Sequence, residues 1–179
     1  GTMGELPMLA AVQYASGAEY DLLLARVAEK AAAEGLRLAG VVQVNETYDV
    51  LCACDMTLRD LTTGREIGIS QRLGRHSKGC RLDPTALEEA VGLAAAGLSA
   101  GADALLLNKF GKMEASGRGF RPLIAQAVEA GVAVLVGINE SNIEAWRAFA
   151  GEEAVLLAAE DQAILDWLHG AAIPLRKSA

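Results

Sequence analysis

Asp103-Ala104-Leu105-Leu106-Leu107-Asn108-Lys109-Phe110-Gly111-Lys112-Met113-Glu114 joins an unbroken apolar run to a sudden change to polar and basic residues. Ala104 to Leu107 show no polar alternation, the mark of a short strand covered on both faces, and the run is too short to be a core helix. Strands of this kind occur in sheets with helices on both sides. The polar residues that follow would then sit at the carboxyl end of a buried strand, where open α/β sheets bind their ligands.

The same rhythm continues in both directions. Upstream, Asp83-Pro84 supplies a helix N-cap followed by proline at the first helical position, and the alanine-rich stretch after it predicts a helix to about Ser99, before Gly101. Downstream, Gly119 to Ala130 reads as a helix closed by Gly131, and Val132 to Ile138 as another buried strand. Ser141 or Asn142 caps a short helix to Phe149, Ala154 to Leu157 is a last short strand, and Glu160 to His169 a last helix. Toward the amino end, Met8 to Tyr14 is a first strand. Ala18 to Glu34 is an amphipathic helix with Leu22, Leu23, Arg26, Val27 and Lys30 at helical spacing, and Leu38 to Val44 is a second strand. Ala53 to Leu61 and Glu66 to Ser70 flank the turn signal Thr62-Thr63-Gly64 and predict an antiparallel hairpin. Gln71 to Arg81 carries Arg72, Arg75, His76, Lys78 and Arg81 without apolar period and reads as a basic loop. Trp146 and Phe149, three apart, read as core contacts.

Composition narrows the function classes. With 179 residues and 52% hydrophobic content, the chain suits one domain, placed at residues 4–179, with Gly1-Thr2-Met3 read as an expression scar. No apolar run approaches the ~20 residues of a membrane span, so no membrane partner and a cytoplasmic location are expected. Sixteen basic against twenty-three acidic residues give a net charge of −7, which argues against bulk nucleic-acid binding. The alanine-rich helix suits a homodimer face and a monomer core equally well.

Gly111 to Glu114 and the residues before them resemble the Walker B region of the thermophile-type nucleoside triphosphatases, where the strand ends in Asp-Glu-Ile-Gly-Lys-Met-Glu. Leu58-Arg59-Asp60-Leu61-Thr62-Thr63-Gly64 is similar to that family's hairpin, and the likeness covers most of residues 8 to 138. Within the superfamily the resemblance is strongest to an uncharacterised bacterial group, a domain of unknown function, with Asn-(Arg/Lys)-Phe-Gly-Lys at the same place. The resemblance implies a P-loop-type α/β fold: three layers, a mostly parallel sheet and an antiparallel hairpin insertion.

Laid on the family pattern, the nucleotide motifs are altered. A P-loop reads Gly-x-x-x-x-Gly-Lys-(Ser/Thr), exposing backbone N–H groups to phosphate and supplying a lysine and a magnesium-binding hydroxyl. Here Tyr14 stands at the first glycine, Gly17 keeps a glycine within the loop, Glu19 replaces the second, Tyr20 the lysine and Asp21 the hydroxyl residue. Asn108 stands where the magnesium-linked aspartate belongs and Lys109 where the water-activating glutamate belongs. The charges are inverted, and Glu19 or Asp21 paired with Lys109 would close the old site; the other reading is ordinary solvated loop charges. Lys109, Lys112, Arg118 and Arg121, with Arg75 and Lys78 of the basic loop, are candidate anion ligands. The alternative is that Lys112 pairs locally with Glu114 and the arginines only solvate the surface. Glu114 is the one candidate general base.

Cys52-Ala53-Cys54 places two sulfurs on one face of a strand, and His76 and Cys80 follow beyond its partner. Three thiolates and an imidazole suit tetrahedral zinc or another metal, although Cys-x-Cys is not the usual structural spacing, and buried thiols that pack as hydrophobes fit the same pattern. His169 reads as a helix C-terminal residue. Three functions remain open: a non-hydrolytic, anion- or nucleotide-binding accessory protein; a metal- or oxyanion-handling protein using the Cys/His cluster, since the related group is associated with molybdate transport; and a nucleoside triphosphatase with relocated catalytic groups.

Overall fold

The computed structural model describes residues 8–44, 56–72, 80–151 and 154–177. Five parallel strands form the larger part of a seven-stranded sheet, running from β2 to the β9 edge: β1 (Leu9–Gln13), β2 (Leu38–Gln43), β7 (Ala104–Leu107), β8 (Ala133–Ile138) and β9 (Val155–Leu157). The hairpin strands β3 (Thr57–Asp60) and β4 (Glu66–Gly68) extend one edge antiparallel, giving the order β4-β3-β2-β7-β8-β1-β9. Helices α1 (Gly17–Ala33) and α6 (Asp161–Lys177) cover one face, and α2 (Pro84–Ala100), α4 (Arg121–Glu129) and α5 (Ile143–Ala150) the other. This is the α/β class and three-layer architecture expected from the sequence. Both faces of β7 are buried, which explains its unbroken apolar run.

Local chemistry sets the boundaries. Asp83 caps α2 by accepting from the backbone N–H of Thr85 and Ala86, with Pro84 at the first helical position. At the hairpin turn, Asp60 accepts from the N–H and hydroxyl of Thr63. Along α1, Leu23, Leu24, Val27, Ala28 and Ala31 face the sheet, whereas Leu22, expected on that face, is exposed. Arg26 and Lys30 reach instead to Asp161 of α6, at 2.8 and 2.9 Å, and hold that carboxyl below its usual range.

The structure revises several boundaries. The segment read as one basic loop begins and ends in a second antiparallel pair, β5 (Ser70–Arg72) with β6 (Cys80–Leu82), which periodicity could not reveal in strands of three residues. A short helix α3 (Lys112–Ala115) precedes α4, which starts at Arg121 rather than Gly119. A 3-10 turn, Glu140–Asn142, capped by the side chain of Asn139, precedes α5, and Asn142 takes the N-cap position of α5 as expected, without a side-chain cap hydrogen bond. The final helix runs on to Lys177, eight residues beyond His169. Among the described residues no helix is long and apolar enough to cross a membrane.

Candidate functional site

The carboxyl ends of β1, β2, β7 and β8 meet at one edge of the sheet. The loop from β1 to α1 is only Tyr14 to Ser16, and helix begins at Gly17, so part of the stretch that wraps phosphate in a P-loop is already helical. Ser16 caps α1 by accepting from the Glu19 N–H, and Glu19 is exposed. Tyr20 is buried and stacks on Tyr14, with ring centroids 4.8 Å apart and planes 15° from parallel. Its ring lies over Gly137 of β8, the strand between β1 and β7. A Cβ at Gly137 would stand 2.4 Å from the Tyr20 ring and 2.5 Å from the Asn108 carbonyl oxygen, so only glycine lets Tyr20 lie there. Burial, followed by the neighbouring Tyr14 and Asp21, pushes the Tyr20 phenol far above its ordinary pKa, and it stays neutral.

Asp21 and Asn108, expected from the resemblance at the hydroxyl and aspartate positions of the motifs, are hydrogen-bonded to each other. Asn108 Nδ2 donates to Asp21 Oδ1 at 3.1 Å and to Gln43 Oε1 at 3.3 Å, and Asn108 Oδ1 accepts from the Gln43 N–H at 3.0 Å. One buried amide thereby ties α1, β2 and β7 together. Burial raises the Asp21 pKa, opposed by the Asn108 hydrogen bond and the positive charge of Lys109. The expected ion pair of Lys109 with Glu19 or Asp21 is replaced by this amide bond: Lys109 acts on Asp21 as a nearby charge and forms no direct ion pair among the described residues. The exchange has a physical reason. Lys109 is exposed and keeps its hydration, whereas Asn108 is buried beside the carboxylate.

Glu114 is buried, yet it has no lysine partner among the described residues. Its two carboxylate oxygens accept from the N–H of Gly111 at 2.8 Å and of Phe120 at 3.0 Å, bridging the ends of the loop that contains α3. Burial raises its pKa, opposed by those two hydrogen bonds and by Lys109. The local pairing with Lys112 is thus corrected: backbone donors held at fixed positions satisfy a desolvated carboxylate better than a mobile ammonium. Gly119, with φ +59°, gives the carboxylate its room, because a Cβ there would lie 1.9 Å from Oε2. Replacing Glu114 with glutamine turns an NH2 toward one of the two N–H groups. Glu114→Gln is expected to lower unfolding free energy by about 2 kcal/mol in urea titration, the cost of an unsatisfied buried donor.

Next to this framework lies a cavity of about 350 Å3. Lys109, Lys112, Glu114, Gln43, Asn108, Asn139, Ser141 and Asn142 supply its polar lining, with both Glu114 oxygens already held by the Gly111 and Phe120 N–H groups, and Tyr14, Met56, Leu58, Ile69, Leu82, Leu87, Met113 and Phe120 most of the rest. Lys109 and Lys112 are exposed and in no ion pair among the described residues. Arg118 is exposed and does not line this cavity, and Arg121 is engaged elsewhere, near the Glu114 and Ala115 carbonyls and over the Phe149 ring. Arg75 and Lys78 lie outside the described residues. So do Cys52, Cys54 and His76, while Cys80 is placed only through its backbone in β6. Among the described residues no group of three or more His, Cys, Asp or Glu gathers as a metal site. His169 is hydrogen-bonded to Glu34, the C-cap of α1.

Sequence reading did not find Gln43, Asn139, Ser141 and Asn142. The available signal was positional: Gln43 ends β2, and Asn139 to Asn142 follow β8, all at the carboxyl edge where ligands bind.

The model of the family described as "Protein of unknown function (DUF2478)" matches residues 9–167. Molybdenum import ATP-binding protein ModC 2 of Bradyrhizobium diazoefficiens is 38% identical over 159 residues, 89% of this chain, which spans only 18% of that relative's length. Among solved structures, the crystal structure of THEP1 from the hyperthermophile Aquifex aeolicus superimposes with a TM-score of 0.64 at 19% identity, covering 89% of this chain and 95% of that one. The solution structure of a human cancer-related nucleoside triphosphatase gives 0.62 at 16%, covering 96% and 98%. At such identities the likeness establishes the fold, that of the P-loop nucleoside triphosphatases.

Proposed function

The chain belongs to the DUF2478 family, and we propose that it is a non-hydrolytic P-loop-type protein that binds a small anion in the Lys109–Lys112 cavity and serves an accessory or regulatory role. The observation that carries this reading is the hydrogen bond from Asn108 to Asp21, with the Tyr14–Tyr20 stack beside it. In the motif correspondence that the sequence resemblance implies, these groups take the positions where magnesium and triphosphate are seated. Magnesium demands an octahedron of hard oxygen ligands, usually with carboxylate or hydroxyl among them. Asp21 is turned to an amide and Asn108 carries no charge, so the residues present do not fit that ion, and no step is derived through it. Glu114, the candidate base, is held by two backbone donors and fits a positioning role for the Lys112 loop.

Two exposed lysines and the amides of Asn139 and Asn142, which line the same cavity, offer charge and neutral donors to one anion, and the name of the molybdenum-import relative makes a tetrahedral oxyanion the first ligand to try. Nucleotide binding, suggested by the same name, would have to use this cavity rather than the loop before α1. Titration calorimetry with molybdate and with phosphate tests the reading. Wild-type protein is expected to bind at least one of them, and Lys109→Gln/Lys112→Gln about tenfold more weakly or worse, the equivalent of ~1.4 kcal/mol. Equal affinity in the double variant, or no binding by wild type, would sink it.

A further inference from the structure

The anion cavity is mostly apolar, and its apolar part is an open end of the core. Leu58, Ile69, Leu87 and Phe120 belong to the buried cluster under α2 and α4, and Met56, Leu82 and Met113 pack against it. A volume of about 350 Å3 equals roughly a dozen water volumes, of which a bare tetrahedral oxyanion fills only a fraction. Water left against an apolar wall contributes nothing to affinity, whereas a ligand body that displaces it does. The polar groups come from the carboxyl ends of β2, β7 and β8 together with Lys112 and Glu114 of α3, and most of the apolar ones from β3, the start of α2, and Met113 and Phe120 around α3. The lining thus has two chemical sections.

Resting on the anion reading above, we infer that this cavity takes an amphipathic organic anion: a phosphate monoester or comparable dianion carried on a compact, ring-sized apolar body. Lys109 and Lys112 meet the charged end, the side-chain amides of Asn139 and Asn142 supply neutral donors, and Leu58, Ile69 and Phe120 cover the body.

Titration calorimetry of wild-type protein with three probes, 1-naphthyl phosphate, inorganic phosphate and 1-naphthol, separates the two sections. The ester is expected to bind at least tenfold more tightly than either part alone. Met113→Gln, in a partly buried position of the apolar section, is expected to weaken the ester several-fold and to leave inorganic phosphate unchanged. Inorganic phosphate binding as tightly as the ester would overturn this inference and leave the anion reading standing. Naphthol binding as tightly as the ester would likewise overturn this inference, and no binding by any probe, with none by molybdate, would overturn both. The wild-type comparison does not depend on any variant folding.

Discussion

Asn108→Asp, which supplies the aspartate that the resemblance to the nucleoside triphosphatases implies here, is expected to destabilise the protein by about 3 kcal/mol at pH 7 and to confer no hydrolysis. The substitution removes the donor that serves Asp21 Oδ1 and Gln43 Oε1 and sets a second carboxylate against a buried one. Two carboxylates in one buried site share a proton, so the deficit should shrink toward pH 4, where one of them is neutral. Adding Asp21→Asn supplies an amide opposite the new carboxylate and should recover most of the loss, a coupling that a double-mutant cycle in urea measures. Asp21→Asn alone has its own signature. The folded Asp21 pKa lies above its unfolded value, so the folded state holds the proton more tightly. Stability is therefore lost as pH rises from about 3.9 through the folded pKa. Removing the group should stabilise the protein at pH 7 and make no such difference below about pH 4. A loss under 1 kcal/mol for Asn108→Asp would show that the amide is not the tie described.

Gly40→Ala is the second large effect, at about 3 kcal/mol or more. Gly40 sits inside β2 with φ +111°, a conformation open almost only to glycine, and a Cβ there would lie 1.8 Å from the Leu106 carbonyl oxygen of β7. Backbone cannot yield as a side chain can, so β2 and β7 would have to separate, and Asn108 stands immediately beyond β7. Gly92→Ala is the control. It lies in α2 with nothing near its added Cβ and should stabilise by up to about 1 kcal/mol through helix propensity. Guanidinium unfolding of the two variants decides the matter, and similar midpoints would contradict the steric account.

These residues also mark how far the sequence could be read. Asp83-Pro84 and Thr62-Thr63-Gly64 announced a helix start and a turn because their chemistry is local, completed within three residues. Tyr20, Asp21 and Asn108 stood out in the sequence as departures from the motifs that the resemblance implies. What the substitutions do to one another was not: Asn108 and Asp21 are 87 residues apart, and charge alone pointed to Lys109 instead. Gly40 looked like any small residue in an apolar run, since its backbone angle follows from the register of β7. The room Gly137 leaves for Tyr20 is equally invisible without the stacked geometry. The β5–β6 pair escaped because three-residue strands carry no period to detect.

Steady-state phosphate release from ATP and GTP in the presence of magnesium tests the central claim, that the phosphate and magnesium positions of this fold are closed by Tyr20, Asp21 and Asn108. The expected rate for wild-type protein equals that of protein-free buffer. Magnesium-dependent release that grows in proportion to protein concentration would contradict it.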